Sequence, residues 1–349
     1  MFCEISESEQ EAKLELNEQN FFFFGGDNMR TEPVNRNSSD EVKRLMEFFG
    51  RIEGSHILTG QHTQTNPMEE LSHIRSVTGK EPALLGFELL AYSPNIRDMK
   101  ADPACEKEVI ENRGTIERAF EWGLSGGIVT LTWHWFSPMY GTGKAFYAKN
   151  TEFDAERVLI RETAERKAFF SDLDSMEKLL SGFYDRRIPV LWRPFHESDG
   201  DWFWWGAKGP RVAKELYLLM FDYFSGKKEL SNLIWVHNSR LPEGYVGDDC
   251  CDLISCDTYP GEHVITDFSD EYEGLKKLTK ERKGVALAET GVYPDVEKLS
   301  ENKIPWLYYM LWSKEFCLSE QYNYPDDLKR VFSSPYALKK SDLPDLIKA

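Results

Sequence analysis

The chain has little positive charge and no hydrophobic run long enough to span a membrane. Its 42 Lys+Arg oppose 59 Asp+Glu, and the net charge of −17 repels nucleic-acid phosphates and anionic lipids. The apolar run at residues 21–24, FFFF, is far shorter than the roughly 20 residues that a helix needs to cross a bilayer. We therefore expect neither a nucleic acid nor a membrane as a partner.

The cysteines do not form a recognisable framework. Six of them are scattered through the 349 residues, without a CxxC pair and without the dense spacing of a disulfide scaffold. The first residues, MFCEISESEQEAKLELNEQN, lack the basic segment and long apolar core of a secretory signal. These features favour reduced thiols and a cytoplasmic location. The alternative is a secreted protein whose signal peptide is absent from this sequence.

No metal or phosphate motif is complete. His196-Glu197 begins like the zinc motif HExxH, but position 200 is Gly where the second His would stand. The segment SDGD from Ser198 is too short for a calcium loop, and no glycine pair has the spacing of a Walker loop. We expect no metal ion and no organic cofactor.

Eight short apolar segments bounded by polar or turn residues predict strands. They begin at His56, Ala83, Gly127, Pro189, Leu233, Asp252, Gly284 and Ile304. Stretches with helical periodicity separate most of them, which is typical of a parallel sheet with helices on its outside. The sequence thus predicts an α/β fold, a (β/α)8 TIM barrel, as one domain over residues 1–349 with residues 1–35 as an N-terminal extension packed on the barrel. The step from Ser239 to Asp252 is too short for a full helix, so this crossover should be irregular.

Polar and aromatic residues follow the predicted strands at the ends where TIM barrels place their sites. These residues are His134 on the third strand, Glu197 on the fourth, Asn238 on the fifth, Tyr259 on the sixth, Glu289 on the seventh and Trp312 on the eighth. Such a ring of side chains predicts a site at the C-terminal face of the barrel.

Two glutamates dominate this predicted site. Strand alternation predicts that Glu197 shares a face with Arg193 and Phe195, and that Glu289 shares a face with Leu287. If both faces point into the barrel, the two carboxyl groups converge. Two carboxyl groups roughly 5 to 5.5 Å apart, in a cleft lined by aromatic rings, are typical of retaining glycoside hydrolysis.

The same residues resemble a known family. The stretch Arg193-Pro194-Phe195-His196-Glu197, with Gly200 and the run Trp202-Phe203-Trp204-Trp205-Gly206, resembles the signature of glycoside hydrolase family 26, the β-mannanase family of retaining (β/α)8 enzymes. Four further segments resemble the ends of the family's third, sixth, seventh and eighth strands, in the expected order. They are GGIVTLTWHW from Gly126, DTYPG from Asp257, ALAETG from Ala286 and LWS from Leu311.

The resemblance implies a role for each matching residue. It makes Glu197 the general acid/base and Glu289 the nucleophile of β-1,4-mannosidic bond hydrolysis with retention. The candidate substrate-binding residues around this pair are His134, Arg193, His196, Trp202, Trp205, Tyr259 and Trp312. Trp205 can belong either to the core or to a sugar subsite. We expect the pKa of Glu197 to be raised by neighbouring aromatic rings and by the charge of Glu289.

Several alternatives stay open. The family resemblance also admits a β-glucanase of the lichenase type or a β-1,3-xylanase, and a barrel that binds carbohydrate without cleaving it is a further possibility. The partner that the resemblance implies is β-mannan, glucomannan or a manno-oligosaccharide. A monomer is expected.

Overall fold

Eight parallel strands close into a barrel in the computed structural model, which describes residues 29–98 and 103–346. The strands are β1 in two segments (Ile57–Leu58 and Gly60–Thr63), β2 (Leu84–Glu88), β3 (Ile128–Thr132), β4 (Val190–Arg193), β5 (Leu233–Asn238), β6 (Leu253–Thr258), β7 (Gly284–Thr290) and β8 (Trp306–Leu311). Each strand pairs with the next, and Gln61 of β1 lies beside Leu311 of β8. The predicted (β/α)8 TIM barrel is confirmed. A short strand, β9 (Ala337–Leu338), pairs in parallel with the first segment of β1.

Helices separate most of the strands and cover the outside of the barrel. They are α1 (Asp40–Ile52), α2 (Glu69–Thr78), α3 (Pro103–Asn112), α4 (Thr115–Leu124), α5 (Ala164–Tyr184), α6 (Pro210–Phe221), α7 (Ser269–Lys276), α8 (Val296–Asn302), α9 (Glu315–Leu318) and α10 (Pro325–Ser333). The crossover from β5 to β6 contains only a 3-10 turn, Pro242–Gly244, as the short spacing predicts. Among the described residues no helix is both long enough and apolar enough to cross a bilayer.

Alternation along the strands divides the apolar residues into two layers. Residues such as Leu85, Trp192 and Trp235 point outward and pack with the covering helices. Their neighbours point into the barrel and include Leu84, Ile128, Leu191, Ile234 and Leu253. The inward layer continues into the buried face of α1, formed by Val42, Leu45, Met46 and Phe49. Helix α1 therefore seals the barrel at the end opposite the predicted site.

The segment before α1 also lies at this closed end. The backbone N–H of Arg30 donates to the carbonyl of Arg282 at 2.7 Å, and that of Val34 donates to Oδ1 of Asp252 at 2.7 Å. Residues 1–28 lie outside the described part of the chain, so the predicted packing of residues 1–35 on the barrel stays a prediction. The single-domain organisation of residues 1–349 stays a prediction.

We expect Phe49→Ala to lower the free energy of unfolding by about 3 to 5 kcal/mol, because the Phe49 ring is fully buried where α1 seals the barrel. Denaturant unfolding followed by intrinsic fluorescence measures this change. Glu47→Ala, on the exposed side of the same helix, is the matched control and should unfold like the wild type. Equal unfolding midpoints for the two variants would contradict the sealing role of α1.

Candidate active site

Glu197 is presented by an irregular turn, not by a strand. Strand β4 ends at Arg193, and the two residues Phe195 and Glu197 have left-handed backbone angles, with φ of 52° and 53°. The predicted alternation is therefore wrong for Phe195, whose ring packs outside the barrel against Trp135 and Trp204. Non-glycine residues in this conformation are uncommon and often mark a functional turn.

Two hydrogen bonds hold Glu197 in the turn. Its backbone N–H donates to Oδ1 of Asn238, the last residue of β5, at 2.7 Å. Its carboxylate accepts a hydrogen bond from Nε1 of Trp202 at 2.7 Å. The turn after β4 is thus tied to the neighbouring strand and to its own aromatic run.

A β-bulge turns Glu289 into the barrel. Cys256 pairs with Leu287 and the next residue, Asp257, pairs with Glu289, so that β7 has one extra residue, Ala288, at this point. Leu287 packs in the outward layer, whereas Ala288 belongs to the inward one. Regular alternation would have placed Glu289 outward with Leu287. The predicted shared face was wrong, and the bulge is the reason that Glu289 faces the site.

Three carboxyl groups converge above the barrel interior. Carboxylate oxygens of Glu197, Asp257 and Glu289 all lie within 4.8 Å of one another. This separation suits a retaining pair of carboxyl groups, which lie roughly 5 to 5.5 Å apart. Three carboxylates could also ligate a metal ion, but the guanidinium of Arg193 already occupies the cation position between two of them.

Arg193 is the charge at the centre of this cluster. Its side chain is only 1% exposed, and Nη1 donates to Oδ2 of Asp257 at 2.6 Å while Nη2 donates to Glu289 and to Thr132. The hydroxyl of Tyr259 donates to the other oxygen of Glu289 at 2.5 Å. Both oxygens of Glu289 are therefore held by donors.

The surroundings of Glu197 and Glu289 shift the pKa values of the two carboxyl groups in opposite directions. Burial, and after it the negative charge of Glu289, raise the pKa of Glu197 to about 7 against the opposing hydrogen bond from Trp202. Burial acts on Glu289 too, but the charge of Arg193 and the hydroxyl of Tyr259 outweigh it and lower the pKa of Glu289. One carboxyl group can thus hold a proton while the other is ionised, as acid and nucleophile require.

Two histidines form one wall of the site. The backbone N–H of His134 donates to Oε1 of Glu88 at 2.8 Å, and its Nδ1 lies 2.7 Å from Oε2. Burial opposes the charged form of His134, but the charge of Glu88 and its hydrogen bond prevail and raise the pKa of His134. Nε2 of His134 lies 3.3 Å from Nε2 of His196. Burial and the neighbouring His134 hold the pKa of His196 well below its usual range.

A third histidine, His62 of β1, contacts the backbone of β7 next to Glu289. Its Nε2 lies 2.9 Å from the carbonyl oxygen of Ala288, the extra residue of the bulge. Burial lowers the pKa of His62 to about 4, so the ring is neutral near pH 7 and Nε2–H can donate to this carbonyl. Gly86 leaves room for the ring, because a Cβ at Gly86 would lie 2.2 Å from Nδ1 of His62. The ring also contacts Trp312, with centroids 4.9 Å apart.

The aromatic run after Glu197 has an exposed and a buried part. Trp202 is 46% exposed beside Glu197, whereas Trp204 and Trp205 are each 1% exposed. The indole Nε1 of Trp205 donates to the carbonyl of His196 at 2.8 Å. Of the two roles open to Trp205, the structure favours a core position that supports His196.

The structure thus brings all nine predicted site residues to one end of the barrel. It adds four that we did not assign from the sequence: His62, Glu88, Asn238 and Asp257. Each lies at or near the C-terminal end of a strand. Asn238 is one of the strand-end residues named from the sequence, and Asp257 begins the segment DTYPG. His62 and Glu88 lie near or at the ends of β1 and β2, where the sequence offered no motif.

Comparisons with known proteins agree with this geometry. The sequence model of glycosyl hydrolase family 26 matches residues 34–342. A mannan endo-1,4-beta-mannosidase of Thermothelomyces thermophilus is 35% identical over 320 residues, which cover 89% of this chain and 63% of that protein. Mannan endo-1,4-beta-mannosidase A of a Piromyces species is 28% identical over 326 residues, covering 89% of this chain and 50% of that protein. The chain therefore spans between half and two thirds of the length of these relatives.

Solved structures show the same architecture. The GH26-CBM35 beta-(1,4)-mannanase of Podospora anserina has a TM-score of 0.83 and 30% identity, covering 92% of this chain and 71% of that one. The beta-mannanase of a symbiotic protist of the termite Reticulitermes speratus, complexed with gluco-manno-oligosaccharide, has a TM-score of 0.81 and 30% identity, covering 92% of this chain and 99% of that one. Since the family model covers most of the sequence and the resemblance of its motifs is confirmed, the chain belongs to glycosyl hydrolase family 26.

Proposed function

We propose that this protein is a retaining glycoside hydrolase that cleaves β-1,4-mannosidic bonds in mannans or manno-oligosaccharides. The observation that carries the proposal is the pair formed by Glu197, with a pKa raised to about 7, and Glu289, with a lowered pKa, whose carboxylate oxygens lie within 4.8 Å. The relatives named as mannan endo-1,4-beta-mannosidases support mannan as the substrate class.

The first proposed step breaks the glycosidic bond. Glu197 gives its proton to the glycosidic oxygen as the bond to the anomeric carbon breaks, and Glu289 attacks this carbon to form an ester. Arg193 and Tyr259, which donate to the two oxygens of Glu289, keep it ionised and oriented before the attack. His134, His196 and Trp312 form the wall against which the bound sugar would rest.

The second proposed step releases the sugar. Ester formation removes the negative charge of Glu289, so the pKa of Glu197 falls and its carboxylate can accept a proton from water. The water oxygen then attacks the anomeric carbon and the bond to Glu289 breaks. These steps transfer only protons, water and sugar, and we therefore expect no metal ion or organic cofactor.

Other features of the protein stay predictions. We propose a monomer that binds no nucleic acid, in keeping with the net charge of −17. Cys250, Cys251, Cys256 and Cys317 are free thiols, which agrees with the cytoplasmic location that we propose, and a secreted protein stays the alternative.

Product analysis of the purified protein tests the substrate class. Mannan, mannohexaose and glucomannan should release manno-oligosaccharides, while lichenan and β-1,3-xylan should stay intact. Proton NMR during the first minutes should show the β-anomer of the product, because two displacements retain the configuration. Hydrolysis of lichenan or β-1,3-xylan alone would replace mannan by one of those substrates. Binding without hydrolysis would favour a carbohydrate-binding barrel.

We expect Glu289→Ala to lower kcat on mannohexaose by at least about three orders of magnitude, because the covalent step is lost. Added azide should restore turnover partly and give α-mannosyl azide, since the small anion enters the space that the carboxylate leaves. Steady-state kinetics and NMR of the product measure both effects.

Glu243→Ala is the matched control for this substitution. Glu243 is exposed in the crossover after β5, at the same end of the barrel, and its replacement should leave kcat unchanged. Near-normal activity of Glu289→Ala would exclude Glu289 as the nucleophile.

The pH profile of kcat/KM should be bell-shaped. Activity should be lost as pH rises through the pKa of Glu197, about 7, and as pH falls through the lowered pKa of Glu289. Trp202→Phe removes a donor that favours ionised Glu197, so the basic limb should move to higher pH. Tyr259→Phe removes a donor to Glu289, so the acidic limb should move to higher pH.

Each of these two variants is the control for the other, because each should move one limb only. The profiles are measured on a soluble manno-oligosaccharide under conditions where the variants stay folded. A Trp202→Phe profile that shifts on its acidic limb alone would contradict the assignment of Glu197 as the acid.

A further inference from the structure

The extra residue Ala288 is the feature of β7 that turns the proposed nucleophile into the site. Between Leu287 and Glu289, β7 advances by two residues while the paired stretch of β6 advances by one. From Leu287 to Thr290, β7 advances by three residues while the paired stretch of β8 advances by two. A bulge disrupts the ladder of backbone hydrogen bonds at its extra residue. The bulge is therefore irregular with respect to both neighbouring strands, and regular pairing on neither side fixes its position.

One side chain reaches this bulge from a strand that is not a neighbour of β7. His62 lies in β1, and β8 stands between β1 and β7 in the barrel. Its Nε2 lies 2.9 Å from the carbonyl oxygen of Ala288. A carbonyl oxygen can only accept, so in the neutral ring Nε2 carries the hydrogen and Nδ1 does not. The imidazole thus donates across the barrel interior to the residue that precedes Glu289.

The neighbouring strand β2 leaves space for this ring. His62 pairs with Gly86, and a Cβ at Gly86 would lie 2.6 Å from Cε1 of the ring, closer than real Cβ atoms approach. Any other residue at this position would therefore displace the imidazole. The ring is 3% exposed and packs on Trp312, with centroids 4.9 Å apart. Packing on two sides and the hydrogen bond together determine where Nε2 lies.

Different groups hold the side chain and the backbone of the proposed nucleophile. Arg193 and Tyr259 donate to the two carboxylate oxygens of Glu289. His62 instead contacts the backbone one residue earlier. A nucleophile displaced by about 1 Å can lose about 10²-fold in rate, because the attacking oxygen no longer points at the anomeric carbon. The carboxylate donors therefore govern charge and orientation, whereas the backbone donor bears on the point from which the side chain starts.

We propose that His62 is a positioning residue for the nucleophile. Its Nε2–H fixes the carbonyl of Ala288, and thereby the bulge that directs Glu289 at the anomeric carbon. Gly86 has the complementary role of leaving space for the ring. This inference rests on the proposed function, because Glu289 as the nucleophile defines what is positioned. His62 transfers no proton in either step, since its Nε2–H is engaged with the backbone carbonyl.

His62→Phe tests the proposal, because it removes the donor and keeps a ring against Trp312. On dinitrophenyl β-mannobioside, kcat/KM of this variant should fall by about ten-fold to a hundred-fold. This leaving group needs no protonation, so the loss reports on attack by Glu289 and not on the acid. His62→Gln should stay within about five-fold of wild type, because its amide nitrogen can donate from nearly the same place as Nε2. Gly86→Ala should lose activity as His62→Phe does, since the imidazole is displaced.

A background without the nucleophile separates positioning from a general effect on the fold. In Glu289→Ala with added azide, the small anion attacks in place of the side chain. His62→Phe should then lower the rate by less than about two-fold, so that its effect disappears together with Glu289 in a double-mutant cycle. A loss that persists in the azide reaction would place the effect of His62 on the sugar-facing ring of Trp312 or on the fold, and would overturn the proposal.

His237→Phe is the matched control. His237 is likewise a buried strand histidine, 2% exposed, and burial lowers its pKa to about 3, so its ring is also neutral near pH 7. It points outward from β5, where the ring packs against Tyr217 and Tyr245. Its replacement should leave kcat/KM within about two-fold of wild type. Thermal unfolding compares the stability of the two variants, and equal losses of kcat/KM in both would contradict a specific role of His62.

Two further measurements judge the inference without catalysis. Nitrogen NMR of the imidazole at pH 7 should show His62 as the Nε2–H tautomer, with a proton that exchanges slowly with water. A crystal structure of His62→Phe should show the carboxylate of Glu289 displaced by about 1 Å. If the wild type cleaves no substrate, the proposed function fails, and these two measurements then decide whether His62 fixes the position of Glu289. An Nδ1–H tautomer, or an unchanged bulge in the variant, would overturn the inference.

Discussion

The contact on which the site depends is the guanidinium of Arg193 shared between Asp257 and Glu289. A cation that is 1% exposed has lost its water and requires compensating charge and hydrogen bonds. Three other strands supply them: Asp257 lies in β6, Glu289 in β7 and Thr132, which also accepts from Arg193, in β3. Removing this cation would leave two carboxylates buried together without a counter-charge. The strands that close the barrel therefore also supply the groups that balance the charge of Arg193.

The chemistry of the pair follows from this balance. Burial and the charge of Glu289 outweigh the opposing charges of His134 and Arg193, so Glu197 keeps its proton near neutral pH. In the proposed mechanism, ester formation at Glu289 reverses this preference, since the charge that raised the pKa of Glu197 disappears. A buried ion pair contributes little to stability by itself. The fold is stabilised instead by the two apolar layers and by α1. The end of the barrel that carries the site can therefore contain charged groups whose burial is unfavourable.

The fold could be predicted from the sequence because buried strands must be apolar, so the eight strands appear as eight apolar runs with a regular spacing. The positions of Glu197 and Glu289 at strand ends could be predicted for the same reason. Their directions could not, because simple alternation has no means to anticipate the left-handed turn at Phe195 and Glu197 or the extra residue Ala288 in β7. The role of His62 could not be predicted because the ring contacts a backbone carbonyl 226 residues away. A contact with the backbone does not require a particular side chain in the partner, so the sequence carries no sign of it.

The two sides of the site differ in how they are built. His62, His134 and His196 are packed among aromatic rings and bonded to backbone or buried carboxylates, so this side is preorganised. The other side, at the ends of β4 and β5, is more exposed, and there Arg240 donates to Asp199. Asp199 lies two residues after Glu197, and Arg240 two residues after Asn238, which itself accepts from the backbone of Glu197. The segments that follow β4 and β5 are therefore linked by two hydrogen bonds close to Glu197. Together with the indole of Trp202, these contacts hold the carboxyl group of Glu197 in place although its turn is not part of a strand.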